Sequence, residues 1–320
     1  MNRRNALIQR LNPARSIKTV NHKFETKEKL AAAGVPVPPT IALVGGSSPQ
    51  DDLLYDQLPD SFAIKPNCGS QGRGVILVDG RCDEGWYRLS GDVLTYAMLQ
   101  EHIRLIEEGE YSLDGIDGDH ALIEPLIRTH PDMARLVPYG LPDIRIICLG
   151  DVPLMAMTRL PTEESDGRAN LHQGAVGAAI DLRDGSIFRA VLAKQEIYNH
   201  PSTGMRLIGA EIPFWNDMLD AARRCSDALN LGYVGVDLVI DAARGVQVLE
   251  CNAYPGLEIQ NVNGAGLAKR IEWVERRIAA RQRVRQRSLV PSLGDTIRSF
   301  TERLAVSGLA RPYSTPALHF

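Results

Sequence analysis

The sequence predicts an α+β protein built on antiparallel sheets, and three hairpin patterns carry that prediction. Phe62-Ala63-Ile64-Lys65 and Val75-Ile76-Leu77-Val78 are short apolar strands joined by a glycine-rich turn. Residues 144–149 and 153–157 are strands flanking Gly150-Asp151, and residues 233–240 and 246–250 flank Ala242-Ala243-Arg244-Gly245. Helical segments fall between these hairpins, without the regular strand–helix alternation of a doubly wound parallel sheet.

Residues 1–20 read as a short basic amphipathic helix that ends near Asn12-Pro13. Residues 23–34 read as a second helix, with Gly34 as its stop and Pro36 barring continuation. Val35-Pro36-Val37-Pro38-Pro39 is an extended connector. Residues 96–108 show helical apolar spacing at Met98, Leu99, Ile103, Leu105 and Ile106. Residues 121–124 are a strand, and residues 215–229 a helix closed by Asn230 and Gly232. The expected divisions are an N-terminal helical segment and connector (1–61), a smaller lobe with the glycine-rich turn (62–125), a larger lobe (126–275) and a basic C-terminal extension (276–320).

The bulk chemistry narrows the functional class. The chain has 320 residues, 44% hydrophobic and 23% charged, which is ordinary for a soluble globular protein. A net charge of -3 gives no reason to expect nucleic acid or a membrane as main partner. No apolar run reaches the roughly 18 residues of a membrane span. The N-terminus lacks the apolar core and cleavage site of a secretory signal. The five cysteines are odd in number and widely spaced, with no CxxC pair, which fits a reducing, cytoplasmic compartment.

The sharpest polar constellation is the last hairpin. If Asp241 faces Val246 across the turn, antiparallel register sets Asp237 opposite Glu250. Strand alternation then puts Glu250 and Asn252 on one face. Two carboxylates and an amide oxygen among apolar strands suit a hard divalent cation such as magnesium; a solvated pair of rim acids is the competing reading. Lys65 ends its strand before Pro66, which directs the ammonium out of the sheet end. The turn Gly69-Ser70-Gln71-Gly72-Arg73-Gly74 can offer backbone N–H groups to phosphate. It is neither a Walker A loop nor a Rossmann fingerprint, since no Lys-Ser or Lys-Thr closes it and it joins two strands. Arg145 projects from one sheet face, and its planar fork of donors suits phosphate or carboxylate. Arg159 and the stretch from Gly167 to Gly174 complete the polar concentration.

Asp143-Ile144-Arg145, Asn170-Leu171-His172-Gln173-Gly174, Gly235-Val236-Asp237 and Glu250-Cys251-Asn252-Ala253-Tyr254-Pro255-Gly256-Leu257-Glu258 resemble motifs of the ATP-grasp superfamily. The resemblance is closest to the RimK-type α-L-glutamate ligases and a RimK-related branch, over roughly residues 20–275. It implies an ATP-grasp fold, in which two α/β lobes with antiparallel sheets clasp ATP. The usual N-terminal domain preceding that fold is nearly absent here, which leaves the acceptor open. It further implies that Lys23 and Lys65 hold ATP phosphates beneath a lid formed by Gly69, Ser70, Gln71, Gly72 and Gly74. Glu124, Pro125, Leu126 and Ile127 would form the adenine hinge, and Asp143 would contact the nucleotide. Arg168, Ala169 and Asn170 would line the triphosphate, with Arg145, Arg159, Arg168 and Asn170 serving catalysis. Asp237, Glu250 and Asn252 would bind paired magnesium or manganese ions.

The implied activity is ATP-dependent joining of an amino acid such as glutamate to a carboxylate of a small molecule or peptide C-terminus, through an acyl phosphate. A phosphotransferase and a non-catalytic nucleotide-binding scaffold are the competing functions. An oligomer is compatible with all three.

Overall fold

The computed structural model describes residues 3–45, 57–69, 72–112 and 117–277. The chain divides into two units, residues 1–268 and 269–320. Only residues 269–277 of the second are described, so nearly all of the expected basic extension lies outside the described residues.

The first unit opens with three helices, α1 (Arg3–Leu11), α2 (Ala14–Val20) and α3 (Lys23–Ala32). The helix expected to end near Asn12-Pro13 does so as α1, and a second helix, α2, starts after Pro13. Asn12 replaces the lost helical bonds with a strand-like pair: its Nδ2 donates to Tyr233 O at 2.8 Å and its Oδ1 accepts from Tyr233 N at 2.9 Å. Helix α3 buries Thr26, Lys27 and Leu30. It ends two residues before Gly34, which takes φ +71°.

A six-stranded antiparallel sheet follows, ordered β1-β6-β2-β3-β4-β5. Its strands are β1 (Ala42–Val44), β2 (Ser61–Pro66), β3 (Ile76–Cys82), β4 (Gly85–Arg88), β5 (Val93–Thr95) and β6 (Ala121–Pro125). Strand β1 pairs with β6, so this sheet draws on residues expected in the N-terminal connector. Helix α4 (Tyr96–Glu107) covers one face, where Leu99, Ile103 and Ile106 pack with Phe62, Ile64, Val78 and Trp86. Lys65 and Glu124 alternate with those core residues and so belong to the opposite face.

The second sheet has seven strands, ordered β11-β10-β9-β8-β7-β12-β13. These are β7 (Asp143–Leu149), β8 (Val152–Leu160), β9 (Val176–Ile180), β10 (Ile187–Leu192), β11 (Gln195–Ile197), β12 (Tyr233–Asp241) and β13 (Gly245–Asn252). The short helix α5 (Pro131–Ala134) lies in the connection between the sheets, and α6 (Trp215–Leu229) packs Met218, Ala222 and Cys225 on one face with Ile146, Val236 and Val248. Helix α7 (Glu258–Asn263) lies against β8 and β9, so close that a Cβ on Gly177 would stand 2.6 Å from Val262. The connection between the sheets is stitched down: Arg128 Nη1 donates to Asp79 Oδ2 at 3.0 Å, and Ala242 N donates to Arg128 O at 2.8 Å.

Candidate active site

The β12–β13 hairpin carries one irregularity that decides the site. At the turn Asp241 pairs with Gly245 and Ile240 with Val246, one residue short of the register expected from sequence. Between Val248 and Glu250 the register shifts, and Asp237 then faces Glu250 while Gly235 faces Asn252. Leu249 is the extra residue of a β-bulge. Val246 and Val248 point into the α6-side core, as do Cys251 and Ala253 beyond the bulge. Without the extra residue, Glu250 and Asn252 would take those inward positions. The bulge thus turns both polar side chains onto the face that carries Asp237.

Neighbouring strands add to that face. Arg145 of β7 is paired with Asp237, and Asp143 with Arg159 of β8. Arg145 Nε donates to Asp237 Oδ1 at 2.7 Å, and its Nη2 donates to Oδ2. Arg159 Nε donates to Asp143 Oδ1 at 2.7 Å, and its Nη2 reaches both Asp143 Oδ2 and, at 3.1 Å, Asp237 Oδ2. Burial works against the Asp237 charge, but Arg145 and then Arg159 outweigh it and hold the carboxyl below its usual range. At Asp143 burial wins and pushes the carboxyl up, against the pull of Arg159. Repulsion between the Asp237 and Glu250 carboxylates is therefore already relieved on the Asp237 side by guanidinium groups.

Glu250 differs. No hydrogen bond or ion pair joins its carboxylate to another described residue, although it is half-buried. Asn252 Oδ1 accepts from Tyr254 N at 2.8 Å, which shapes the turn into Pro255-Gly256. Pro255 folds back over Gly235, where a Cβ would stand 2.5 Å from the proline Cβ. Among the described residues no group of three or more His, Cys, Asp or Glu could hold a metal. What the face offers is a mixed set of hard oxygens: the unengaged Glu250 carboxylate, the Asn252 amide oxygen and Asp237 Oδ1, which takes one hydrogen bond. That chemistry fits magnesium or manganese completed by water and phosphate oxygens.

The small sheet supplies cations. Lys23 opens α3, and its Nζ donates to Gly69 O. Burial draws its pKa down, partly offset by Glu250. A cavity of about 10 Å³, room for a water at most, is lined by Lys23, Lys27, Val248 and Glu250. It brings α3 against β13. Lys65 Nζ lies 2.6 Å from Glu124 Oε2, while Lys27 Nζ donates to Glu124 Oε1. Burial opposes the Glu124 charge, yet Lys65 and Lys27 hold its carboxyl below the usual range. The Glu124 side chain is thus committed to lysines, not turned toward a base; β6 ends at Pro125, leaving Leu126 and Ile127 beyond the ladder.

The glycine-rich turn is pinned at both ends. Gly69 bridges to Ser112, and Gly74 O accepts from His102 Nε2 at 3.0 Å. Gly72 and Gly74 have positive φ; Ser70 and Gln71 lie outside the described residues. Among the described residues no hydrogen bond or ion pair joins Arg168, Ala169 or Asn170 to the acid–arginine cluster. Arg168 is solvent-exposed beside Asp166 at 3.9 Å, and Asn170 Oδ1 accepts from His172 N at 3.0 Å.

Sequence reasoning missed three contributors. Lys27 was readable, since Lys23, Lys27 and Leu30 share one helical stripe. Asp119, which accepts from Cys68 N at 3.0 Å and His120 N at 2.8 Å, gave no local signal. The third is an apolar row beside Glu124: Glu124 pairs with Ala63 and Ala63 with Leu77, and Leu89 N donates to Leu77 O at 3.0 Å.

Two antiparallel sheets, one presenting lysines and a glycine-rich turn and the other a bulged acid hairpin, define a protein of the ATP-grasp class. A family model described as "Sugar-transfer associated ATP-grasp" matches residues 2–276, and the chain belongs to that family. Among curated proteins, a probable alpha-L-glutamate ligase of Stenotrophomonas maltophilia (strain K279a) is 28% identical over 270 residues, covering 83% of this chain and 68% of the relative. A probable alpha-L-glutamate ligase of Mannheimia succiniciproducens is also 28% identical, covering 84% of this chain and 67% of the relative. Solved structures overlap partially. The ATP-grasp ligase PsnB complexed with minimal precursor is 16% identical with a TM-score of 0.39, and the match covers 78% of this chain and 57% of PsnB. D-alanine–D-alanine ligase of Bacillus anthracis complexed with ATP is 17% identical with a TM-score of 0.45, covering 84% of this chain and 68% of the ligase. No helix among the described residues is long and apolar enough to cross a membrane.

Proposed function

We propose that the protein is an ATP-dependent carboxylate–amine ligase that works through an acyl phosphate. The observation that carries this reading is the opposition of two walls. One holds Lys23 and Lys65 beside the glycine-rich turn; the other holds Glu250 and Asn252, turned outward by the Leu249 bulge. Lysine ammonium groups and turn N–H groups bind the polyphosphate, and the row Ala63, Leu77 and Leu89 gives an adenine ring an apolar bed. Glu250, Asn252 and Asp237 would hold the magnesium or manganese, which would supply positive charge to the phosphate oxygens.

In the first step a substrate carboxylate oxygen attacks the γ-phosphorus in line, forming an O–P bond and releasing ADP. Arg145 and Arg159 are the proposed guanidinium groups that offset the charge on the transferring group. In the second step an amine nitrogen attacks the acyl carbon; the C–N bond forms, the C–O bond to phosphate breaks and the departing phosphate takes up the amine proton. The acyl phosphate must be kept from water, a task proposed for the glycine turn and the Arg168–Asn170 segment. Glutamate or a similar amino acid is the proposed amine, in line with the names of the relatives. A carboxylate borne on a saccharide is the proposed acceptor, in line with the family's description; a peptide C-terminus is the alternative.

Untargeted mass spectrometry of cell extract incubated with the protein, with and without ATP, tests this. The expected result is ADP, phosphate and a new amide in equal amounts. A stable phosphorylated product with no amide would show a phosphotransferase instead.

A further inference from the structure

The buried lysine pair on Glu124 carries more than charge balance. The Lys27 side chain is 5% exposed, against 3% for Glu124 and 14% for Lys65. Lys27 Nζ also lies 3.3 Å from Thr40 Oγ1. Burial draws the Lys27 pKa below the ordinary lysine value, partly offset by Glu124. Two ammonium groups therefore share one carboxylate, one on each oxygen, and the cluster keeps a net positive charge where water is scarce. A buried charge is stable only when paired. If Lys27 were neutral, Glu124 would have Lys65 as its sole ionic partner, and the two would close into a tight one-to-one pair. With Lys27 in place, Glu124 is satisfied from the α3 side and Lys65 keeps donors for an incoming anion.

We propose that Lys27 is a positioning residue of the nucleotide site: by taking one Glu124 oxygen it confines the Lys65 ammonium to the other, so that Lys65 keeps donors for phosphate. This rests on the reading of Lys65 as a phosphate ligand, and Lys27 itself does not touch the nucleotide.

The test is the affinity of the full chain for magnesium-ATP, measured by calorimetry together with melting temperature. The proteins are wild type, Lys27→Met, Lys27→Arg, Glu124→Gln and the Lys27→Met/Glu124→Gln pair. Lys27→Met is expected to weaken ATP binding by about tenfold or more, and Lys27→Arg to restore part of the loss. In the double variant no carboxylate remains to capture Lys65, so binding returns to within about threefold of wild type. Should Lys27→Met not fold, Glu124→Gln alone carries the test, because it is expected to bind ATP at least as tightly as wild type. The proposal is overturned if Lys27→Met binds ATP like wild type, if the double variant stays as weak as Lys27→Met, or if Glu124→Gln alone loses affinity. A wild-type protein that does not bind ATP at all would overturn the reading of the site, and the proposal with it.

Discussion

Arg159 and Glu250 stand on one sheet face yet answer to different demands. Arg159 bonds two carboxylates, Asp143 and Asp237, so removing it strands Asp143 and leaves Asp237 to Arg145 alone. Breaking such a buried arrangement costs about 3–5 kcal/mol, and Arg159→Ala is expected to show that loss in denaturant unfolding. Glu250 has no bonded partner among the described residues, so Glu250→Gln should melt within about 2 °C of wild type. Its ATP turnover should nevertheless fall about a hundredfold or more. Equal destabilisation of the two variants would contradict this division between support and chemistry. Two buried histidines add to the acid sensitivity of the fold. Burial lowers the pKa of His200 and His102 below 6.5, against the hydrogen bonds they make to Pro161 O and Gly74 O. A folded pKa below the unfolded one means the unfolded state binds more protons. This stabilisation is full above about 6.5 and is lost as pH falls through the folded value. The histidine contribution to melting temperature should therefore be lost as pH falls below about 6.5, and His200→Gln should flatten that part of the slope.

The β12–β13 hairpin shows how far alternation alone can be trusted. Sequence spacing set Asp237 opposite Glu250, and the structure does so, although the turn register differs by one residue. The two agree because the Leu249 bulge restores the offset. A bulge is a local backbone choice with no compositional mark in Val246-Gln247-Val248-Leu249-Glu250, so it was not legible. The strands flanking Gly150 and helix α6 were legible because their apolar patterns are long and bounded by turn residues. Strands β4 and β5 are short, and β9 is Val176-Gly177-Ala178-Ala179-Ile180, with too few large side chains to read as a strand. The Asp143–Arg159 and Arg145–Asp237 pairs depend on which strands become neighbours, information absent from any local window. The hairpin's far end gives its own test. Gly235→Ala would drive a Cβ to 2.5 Å from Pro255, so the turn after Asn252 must shift. The expected cost is about 1–3 kcal/mol in stability, with a fall in ATP turnover larger than that of a solvent-facing substitution on α6. Unchanged turnover would show that the Pro255 turn does not shape the site.

Seen as a single unit through residue 268, the protein places its two sheets so that opposite chemistries meet. The small sheet and α3 bring an excess of lysine, and the large sheet brings acids balanced in part by arginine. Side chains of helix α3 reach both sheets, Lys23 toward Glu250 and Lys27 toward Glu124. A ligand that is both polyanionic and metal-bearing satisfies both walls at once, and binding it stabilises the folded state by mass action. Calorimetric titration of ATP into the full chain, with and without magnesium, measures this most directly. Wild type should bind more tightly with magnesium, Glu250→Gln should lose most of the magnesium dependence, and Lys65→Met should bind weakly in either condition. ATP binding that is indifferent to magnesium in wild type, or unaltered in both variants, would place the nucleotide elsewhere and contradict the two-walled site.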